Sequence, residues 1–379
     1  MNFGQARLEE KGQIKDLWAY AFNEQEPFLS GYFDKYWSCA DAVAATENGT
    51  VAGALHMQSY PLHLYGRTVS ASYIEGVSVL PEMRGKGIAK GLMKQALDME
   101  WRRGDALSIL IPFSYEFYRR MGYALCYSQQ YFECGAADLP SETKGYSAIR
   151  RLTAADIPEM KRLYEAFCKD KNGWLIRDSR YWEYLFFLMG IASGYFYGTF
   201  DTSGNMRGYV GFLKQKERFK VKELVYADGK ALSGLLSFVA SHFSVYNTIA
   251  FDAPAGDRLH DFLANPRCTC TIKPSFMARI VNVEQALSIV AGQEDIVLAV
   301  EDSFYEKNNG VYSLCGGKVE KSASAKPEMK LGIQQLTQLF CGFVSSYELA
   351  GLGQIPMKPE QLAKLDRLFP QKKNYLYEF

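Results

Sequence analysis

The stretch YIEGVSVLPEMRGKGIAKGLMKQALDMEWRRG, residues 73–104, decides the fold of the first third of this chain. Residues 73–80 mix β-branched and aromatic side chains, which predicts a strand, and Pro81 ends it because proline lacks the amide hydrogen that a sheet needs. From Ile88 onward apolar residues recur at steps of three and four, which predicts a helix ending at Gly104. The segment therefore predicts a strand, a glycine-containing loop and a helix N-terminus.

The loop RGKG at 84–87 has the properties of a phosphate site. Backbone N–H groups at a helix N-terminus have no partners within the helix and lie at the positive end of its dipole, where phosphate oxygens bind. Gly85 and Gly87 allow close approach, and Arg84 and Lys86 add charge. The Walker pattern GxxxxGK[ST] is absent, and GKGIAKG does not match GxGxxG. We therefore expect a phosphate ligand other than a nucleoside triphosphate or a dinucleotide.

The pattern R-x-x-G-x-A from Arg84 to Ala89, directly after residues 77–79, resembles the coenzyme A loop of the GNAT acetyltransferases. In that family the loop amides hold the pyrophosphate of acetyl-CoA, and the preceding strand, splayed from its neighbour, binds the pantetheine arm. The resemblance continues downstream, where a second strand is predicted over 106–111. The segment 114–127 then carries the pattern Y-x-x-x-G-[FY]. A phosphate loop of unrelated role beside a core tyrosine is the alternative interpretation.

The resemblance implies a set of site residues. Tyr118 is the implied general acid, protonating the departing thiolate, whose parent thiol has a pKa of about 8.5. Backbone N–H groups near Val77 could stabilise the oxyanion of the tetrahedral intermediate. The implied coenzyme contacts are Val77, Ser78, Val79, Arg84, Gly85, Lys86, Gly87, Ile88, Ala89, Phe113 and Ser114.

The middle of the chain repeats the opening faintly. RLEEKGQIKDLWAYAF from Arg7 is echoed by RLTAADIPEMKRLYEAF from Arg151. YIEGVSV from Tyr73 is echoed by VKELVYA from Val221, again before an apolar helix. The second copy lacks R-x-x-G-x-A. It therefore predicts a second GNAT fold without a coenzyme site, retained to shape a cleft or an interface.

A third domain of α+β type is predicted after residue 284. Strands are expected over 296–305, 311–322 and 329–335, and helices over 336–343 and 359–368. Asn308-Asn309-Gly310 predicts a hairpin turn between the first two strands. The expected fold is thus mixed α/β (α+β): an active GNAT domain over 1–148, a degenerate one over 149–284 and a domain like the sterol carrier proteins over 285–379.

This order of domains resembles the Eis family of bacterial acetyltransferases over the whole chain. The resemblance implies an acetyl-CoA-dependent N-acetyltransferase that acts on primary amines of a polycationic acceptor, such as an aminoglycoside, a polyamine or a lysine-type amine. It also implies a homo-hexamer. An acyl-CoA or lipid-binding carrier protein with little transferase activity is the alternative. The sequence does not name the acceptor.

Two groups are candidates for the general base. In the Eis family the C-terminal carboxylate of an aromatic residue has this role, which in NYLYEF, 374–379, implies Phe379. Glu75 lies where other GNAT enzymes place a catalytic glutamate. A hydrophobic tail needs burial, so we expect it to anchor in the first domain with the carboxylate of Phe379 facing Tyr118. Docking of the tail without catalysis is the simpler alternative.

Composition excludes several other classes of protein. Lys+Arg 43 against Asp+Glu 42 gives a net charge of +1, which favours neither nucleic acid nor an anionic membrane as partner. Neither a secretory signal nor an apolar run of membrane-spanning length is present, so a cytoplasmic protein is expected. The eight cysteines lack CxxC spacing, so we expect no metal and reduced, small core cysteines.

Overall fold

Residues 1–127 form a sheet with helices packed against it. A computed structural model describes residues 1–139, 145–146 and 148–377 of the chain. The strands of this first segment are β1 (Asn2–Gln5), β2 (Ala42–Glu47), β3 (Thr50–Ser59), β4 (Leu62–Leu64), β5 (Arg67–Val69), β6 (Ala71–Val79), β7 (Leu107–Leu110) and β8 (Ala124–Leu125). The helices are α1 (Lys11–Phe22), α2 (Phe28–Lys35), α3 (Ile88–Arg103) and α4 (Tyr115–Arg119).

The predicted strand, loop and helix at 73–104 are confirmed. β6 ends at Val79, ahead of Pro81, and α3 begins at Ile88. Ile88 and Leu92 are buried among the apolar residues that cover the sheet. Gly104 caps the C-terminus of α3 with φ of 79°, a left-handed conformation that glycine adopts without steric cost.

The middle segment repeats this arrangement. Its strands are β9 (Ser128–Gly135), β10 (Ala148–Arg151), β11 (Trp174–Leu175), β12 (Gly194–Phe200), β13 (Met206–Lys214), β14 (Phe219–Tyr226), β15 (Thr248–Pro254) and β16 (Thr269–Pro274). Its helices are α5 (Ile157–Cys168), α6 (Ser179–Ile191) and α7 (Gly229–Ala240). The echo of α1 forms α5, and the echo of β6 and α3 forms β14 and α7. The predicted internal repeat is therefore present in the structure.

The last segment contains the elements β17 (Met277–Ile280), β18 (Ile296–Glu301), β19 (Gly310–Cys315), β20 (Lys318–Ser322) and β21 (Met329–Gly332), with α8 (Val283–Val290), α9 (Ile333–Phe340), α10 (Ser346–Gly351) and α11 (Pro359–Leu368). The α+β character and α11 agree with the prediction. The single strand predicted over 311–322 is wrong, because Gly316 and Gly317, with φ of 56° and 77°, form a two-residue turn that makes a hairpin of β19 and β20.

Two further boundaries in this segment differ from the prediction. The strand predicted over 329–335 stops at Gly332, and α9 starts at the next residue. The expected tight turn at 308–310 is replaced by a longer connection with a 3-10 turn over Glu306–Asn308. The Asn308 side chain is buried, accepting from the Val283 amide at 3.2 Å and donating to Asp302 at 3.0 Å. Asn308 is therefore a buried hydrogen-bonding residue of the core and not part of an exposed turn.

The chain divides into two compact units. One contains Met1–Tyr127 and Ser275–Lys372, and the other contains Ser128–Pro274 together with the chain end from Lys373. The described strands of the first unit's large sheet run in the order β1-β2-β3-β6-β7-β17-β8, and a smaller sheet runs β20-β19-β18-β21. In the second unit the order is β10-β12-β13-β14-β15-β9-β16.

The units do not follow the domain borders expected at residues 148 and 284. β9 lies within the expected first domain but pairs with β15 and β16 of the second sheet. β17 lies within the expected second domain but is placed between β7 and β8 of the first sheet. Each sheet is completed by a strand that the local pattern assigns to the other domain, so the compact units divide the chain differently, after residues 127 and 274.

Three expectations from composition can be compared with the described residues. The cysteines form no disulfide bond within the described residues. Cys126, Cys134, Cys168 and Cys341 are buried as predicted, while Cys270 and Cys315 are exposed. Histidine, cysteine and carboxylate side chains in the described ranges form no group of three or more that could hold a metal ion. None of the described helices has both the length and the apolar character needed to cross a bilayer.

Candidate active site

The candidate site lies where β6 no longer pairs with β7. β6 and β7 run parallel and pair from Ala71 to Ile74 with residues 107–110, and β7 then ends. β3 continues to pair with β6 as far as Val79. Among the described strands, none pairs with residues 75–79 on the β7 side. The expected splay is therefore present, and it leaves an edge of main chain open to a ligand.

A bulge in β6 marks the start of this open edge. The register between β3 and β6 shifts between Ala54 and His56, and Gly76 has φ of 64°. A Cβ at this position would overlap the ring of Trp18. Glycine is thus required both by the backbone conformation and by the packing of α1 on the strand.

The loop after β6 is exposed and ends at the first amides of α3. Gly85 and Gly87 each have φ of 78°, and a Cβ at either position would meet nothing within 4 Å. Gly87 is the N-cap of α3 and provides no side-chain acceptor for the first amides of the helix. A ligand with anionic oxygens can therefore approach the main chain directly and accept these hydrogen bonds.

Positive charge surrounds this helix terminus. Lys86, Lys90 and Lys94 follow one another at four-residue spacing and line a depression of about 530 Å³ beside the N-terminus of α3. Arg84 is exposed, and its Nε donates to the Val79 carbonyl at 3.4 Å. The lysine ammonium groups and the N-terminal end of the helix dipole are both positive, so both favour the binding of phosphate groups.

The predicted coenzyme contacts differ in what they can offer a ligand. Arg84, Gly85, Lys86 and Gly87 are exposed, whereas Ile88 is buried and can contribute only its main chain.

In β6 and at the N-terminus of α4, some predicted contact residues are likewise available to a ligand and others are not. Ser78 is buried, with its hydroxyl turned to the Ala54 carbonyl at 3.5 Å. Ser114 accepts from the Phe117 amide at 3.4 Å and so caps α4, and Phe113 is 75% exposed. The main chain, the two basic residues and Phe113 are therefore the available contacts.

Tyr118 lies on α4 and is 3% exposed. Its ring packs against Phe113, Phe117 and Tyr123, and it shares an apolar cluster with Val77 of the open edge. Within the described residues its hydroxyl has no hydrogen-bond partner. Burial raises the pKa of Tyr118 above its usual value. The residue therefore carries its proton at neutral pH, as a general acid must.

Gly122, the glycine of the Tyr118 motif, makes room for a residue that stabilises the end of α4. Gly122 has φ of 82°, and a Cβ there would overlap the buried guanidinium of Arg279. Arg279 donates to the Met121 carbonyl and pairs with Asp302, which is also buried. The motif glycine thus makes room for a cation that ties the end of α4 to β17.

Glu75 belongs to a polar cluster that sequence reasoning missed. Strand pairing places it opposite His56, whose Nδ1 lies 3.4 Å from a Glu75 oxygen. Tyr32 of α2 and Gln58 of β3 also donate to this carboxylate. These residues come from three elements with no common spacing, so only the pairing of 56 with 75 could have indicated the cluster.

The hydrogen bonds of His56 determine its tautomer. The Ser38 amide donates to Nε2 at 3.3 Å, so the ring proton is on Nδ1, which lies 2.6 Å from the Tyr32 hydroxyl. Tyr32 then donates its own proton to Glu75. The chain of donors ends at this carboxylate. Glu75 is 15% exposed, so it combines a fixed orientation with access from solvent.

The tail does not anchor where it was expected. Tyr375, Leu376 and Tyr377 are buried in the second unit, and both tyrosines belong to its apolar core. The expectation that the first domain receives these residues is therefore corrected. Phe379, the predicted base, lies outside the described residues.

Comparison with known proteins assigns all three parts of the chain. Residues 3–126 and residues 173–280 each match an acetyltransferase (GNAT) domain family, and residues 283–377 match the sterol carrier protein domain family. An uncharacterized N-acetyltransferase of Streptomyces griseus is 24% identical over 326 residues, which are 76% of either chain.

Solved structures share the whole fold. A probable N-acyltransferase of unknown function from Enterococcus faecalis superposes with a TM-score of 0.89 at 24% identity, covering 100% of this chain and 99% of its own. Eis1 from Mycobacterium abscessus superposes with a TM-score of 0.80 at 19% identity, covering 99% of both. The predicted order of two GNAT domains and a sterol carrier protein domain is confirmed. The chain is an N-acetyltransferase of the GNAT class, and its fold is similar to that of Eis1.

Proposed function

We propose that the protein transfers the acetyl group of acetyl-CoA to a primary amine of a polycationic acceptor. The observation that carries this proposal is the combination of the open loop at Gly85 and Gly87 with a buried, protonated Tyr118 beside the splayed edge of β6. The loop suits a pyrophosphate because Gly85 and Gly87 have no side chain that would keep phosphate groups away from the main chain.

The chemistry is direct transfer. Acetyl-CoA supplies an activated thioester. The amine, after losing a proton to a base, attacks the carbonyl carbon, and main-chain N–H groups near Val77 stabilise the oxyanion. The C–S bond then breaks, and Tyr118 gives its proton to the sulfur. The products are an amide and coenzyme A.

The α-carboxylate of Phe379 is the proposed base, and Glu75 is the alternative. Glu75 is supported by its fixed orientation and partial exposure on the open strand. Phe379 is supported by the burial of Tyr375 to Tyr377, which holds the preceding chain in one conformation. A carboxylate base favours a cationic acceptor by charge. We expect a homo-hexamer, as in the Eis family, which sedimentation analysis would test.

The test is a coenzyme A release assay across a panel of amines that includes an aminoglycoside, spermidine and lysine. Tyr118→Phe is expected to lower kcat by about 10²–10⁴ with little change in KM for acetyl-CoA. Tyr123→Phe is the matched control, since Tyr123 is also buried but its hydroxyl bonds Ser108 at 2.7 Å. Tyr123→Phe should lower the stability of the protein, because it removes this buried hydrogen bond, and should leave kcat unchanged. Equal kcat for wild type and Tyr118→Phe would exclude Tyr118 as the acid.

The base is tested by two further variants in the same assay. Adding one residue after Phe379 displaces the carboxylate and is expected to lower kcat by about 10²–10⁴, while Glu75→Gln should raise KM for the amine. Full activity of the extended chain, together with a large loss of kcat in Glu75→Gln, would assign the base to Glu75 instead.

A further inference from the structure

The second unit contains a fully buried ion pair in the place where the first has its open carboxylate. Arg177 and Glu223 are each 2% exposed, and the guanidinium contacts both carboxylate oxygens, at 2.7 and 3.1 Å. Tyr209 donates to Glu223 at 3.1 Å, and the guanidinium lies over the ring of Tyr164 at 3.9 Å. These contacts hold the carboxylate in one orientation.

Glu223 is the counterpart of Glu75. Each is the third residue of its copy of the repeat, YIEGV and VKELV. β14 pairs antiparallel with β13, as β6 does with β3, and both pairs contain a register shift next to the glutamate. β14 runs parallel to β15 only over 219–221, so Glu223 also lies where the strands begin to separate.

The two glutamates have different surroundings. Among the described residues no lysine or arginine pairs with Glu75, whose donors are Tyr32, Gln58 and His56. Glu223 is neutralised by Arg177, which comes just before α6, the counterpart of α2. A carboxylate that is paired and buried in this way is not available to an ammonium group of a substrate.

The C-terminal segment packs over this ion pair. The Tyr375 hydroxyl donates to Glu223 at 3.5 Å. The main chain on either side is held by Asn172, whose amide donates to the Lys373 carbonyl at 2.9 Å and whose carbonyl accepts from the Tyr375 amide at 3.0 Å. Gln129 of β9 donates to the Leu376 carbonyl at 3.5 Å. The segment is therefore bound by its main chain and by the buried pair together.

We propose that the region around Glu223, which corresponds to the region around Glu75 in the first GNAT domain, is the docking site of the chain's own C-terminal segment, with Arg177 and Glu223 as positioning residues for the chain end. The proposal rests on the proposed function of the terminal carboxylate as base. It gives the degenerate domain a role in the reaction without any chemistry of its own.

The first readout is docking, measured without turnover. Carboxypeptidase digestion of the full-length protein, followed by intact mass, reports how fast Tyr377, Leu376 and Tyr375 are lost. Tyr375→Phe and the double variant Arg177→Met/Glu223→Gln, which leaves no unpaired charge, are expected to lose them at least tenfold faster than wild type. Val239→Ala is the control, because it opens the other apolar cluster of this unit without touching the tail. Rates equal to wild type in both tail variants would overturn the docking site.

The second readout is catalysis. The same variants are expected to lower kcat at least tenfold and to leave KM for acetyl-CoA within twofold, whereas general destabilisation in Val239→Ala should change neither. Faster digestion with an unchanged kcat would overturn the positioning role. The chain extended after Phe379 separates the two ideas: if it keeps wild-type kcat and its tail stays protected, the terminal base is wrong and the docking site stands.

Discussion

Replacing Gly87 by alanine separates backbone strain from the loss of coenzyme binding. Gly87 has φ of 78°, and a Cβ added there meets nothing within 4 Å. The substitution therefore causes no clash in the free protein. It changes only the conformational energy of the loop and the space above the first amides of α3.

The cost in stability is small. An alanine in the left-handed region costs about 1–2 kcal/mol, and the lower entropy of its unfolded chain returns about 0.4–1 kcal/mol. The net loss of about 1 kcal/mol corresponds to a decrease in Tm of about 2–4 °C for a unit of this size. The effect on coenzyme is larger. Hydrogen bonds to charged groups contribute about 1.5–3 kcal/mol each, so losing one raises the Kd of coenzyme A by about 10- to 150-fold.

Gly204 provides the matched control. It lies in the loop between β12 and β13, has φ of 82° and also has nothing within 4 Å of an added Cβ. Gly204→Ala should therefore show the same decrease in Tm with unchanged affinity. Titration calorimetry with coenzyme A and a thermal melt of both variants make the comparison. If Gly87→Ala binds coenzyme A as tightly as Gly204→Ala does, the loop is not the pyrophosphate site.

Three other predictions concern single residues. Because burial raises the pKa of Tyr118, this acid keeps its proton to higher pH. The rate of coenzyme A release should therefore show no decrease from the ionisation of Tyr118 below about pH 10. A decrease at lower pH that disappears in Tyr118→Phe would contradict this. Gly76→Ala combines a φ of 64° with overlap of Trp18 and should lower the free energy of unfolding in urea by about 2–6 kcal/mol, so a stable variant would refute the bulge argument. Arg279→Met leaves Asp302 buried without its cation and should cost about 3–5 kcal/mol by the same measurement. Part of this loss should be recovered in Arg279→Met/Asp302→Asn, which removes the unpaired charge and keeps an oxygen acceptor for the Phe304 and Tyr305 amides; equal stability of the single variant would show the pair to be dispensable.

Much of the active site follows from local pattern. The β-branched run before Pro81, the glycines at 85 and 87 and the apolar spacing of α3 each act within a few residues, and the structure has all three as predicted. Tyr118 was found in the same way, through a motif only a few residues long. The turn at Gly316 and Gly317 is equally local, but the β-strand-like residues on both sides of it predict a single strand.

The rest depends on which distant segments meet. His56 faces Glu75 only because β3 and β6 pair in one register, and a shift of one residue would turn either side chain to the other face of the sheet. Likewise, no nearby residue indicates that β9 and β17 complete each other's sheets, or that Tyr375 reaches Glu223 across 152 positions of sequence. Short-range periodicity and backbone conformation thus determine the elements and the coenzyme loop. Long-range pairing and burial decide that Glu75 stays partly exposed, whereas Glu223 is buried in contact with Tyr375 of the C-terminal segment.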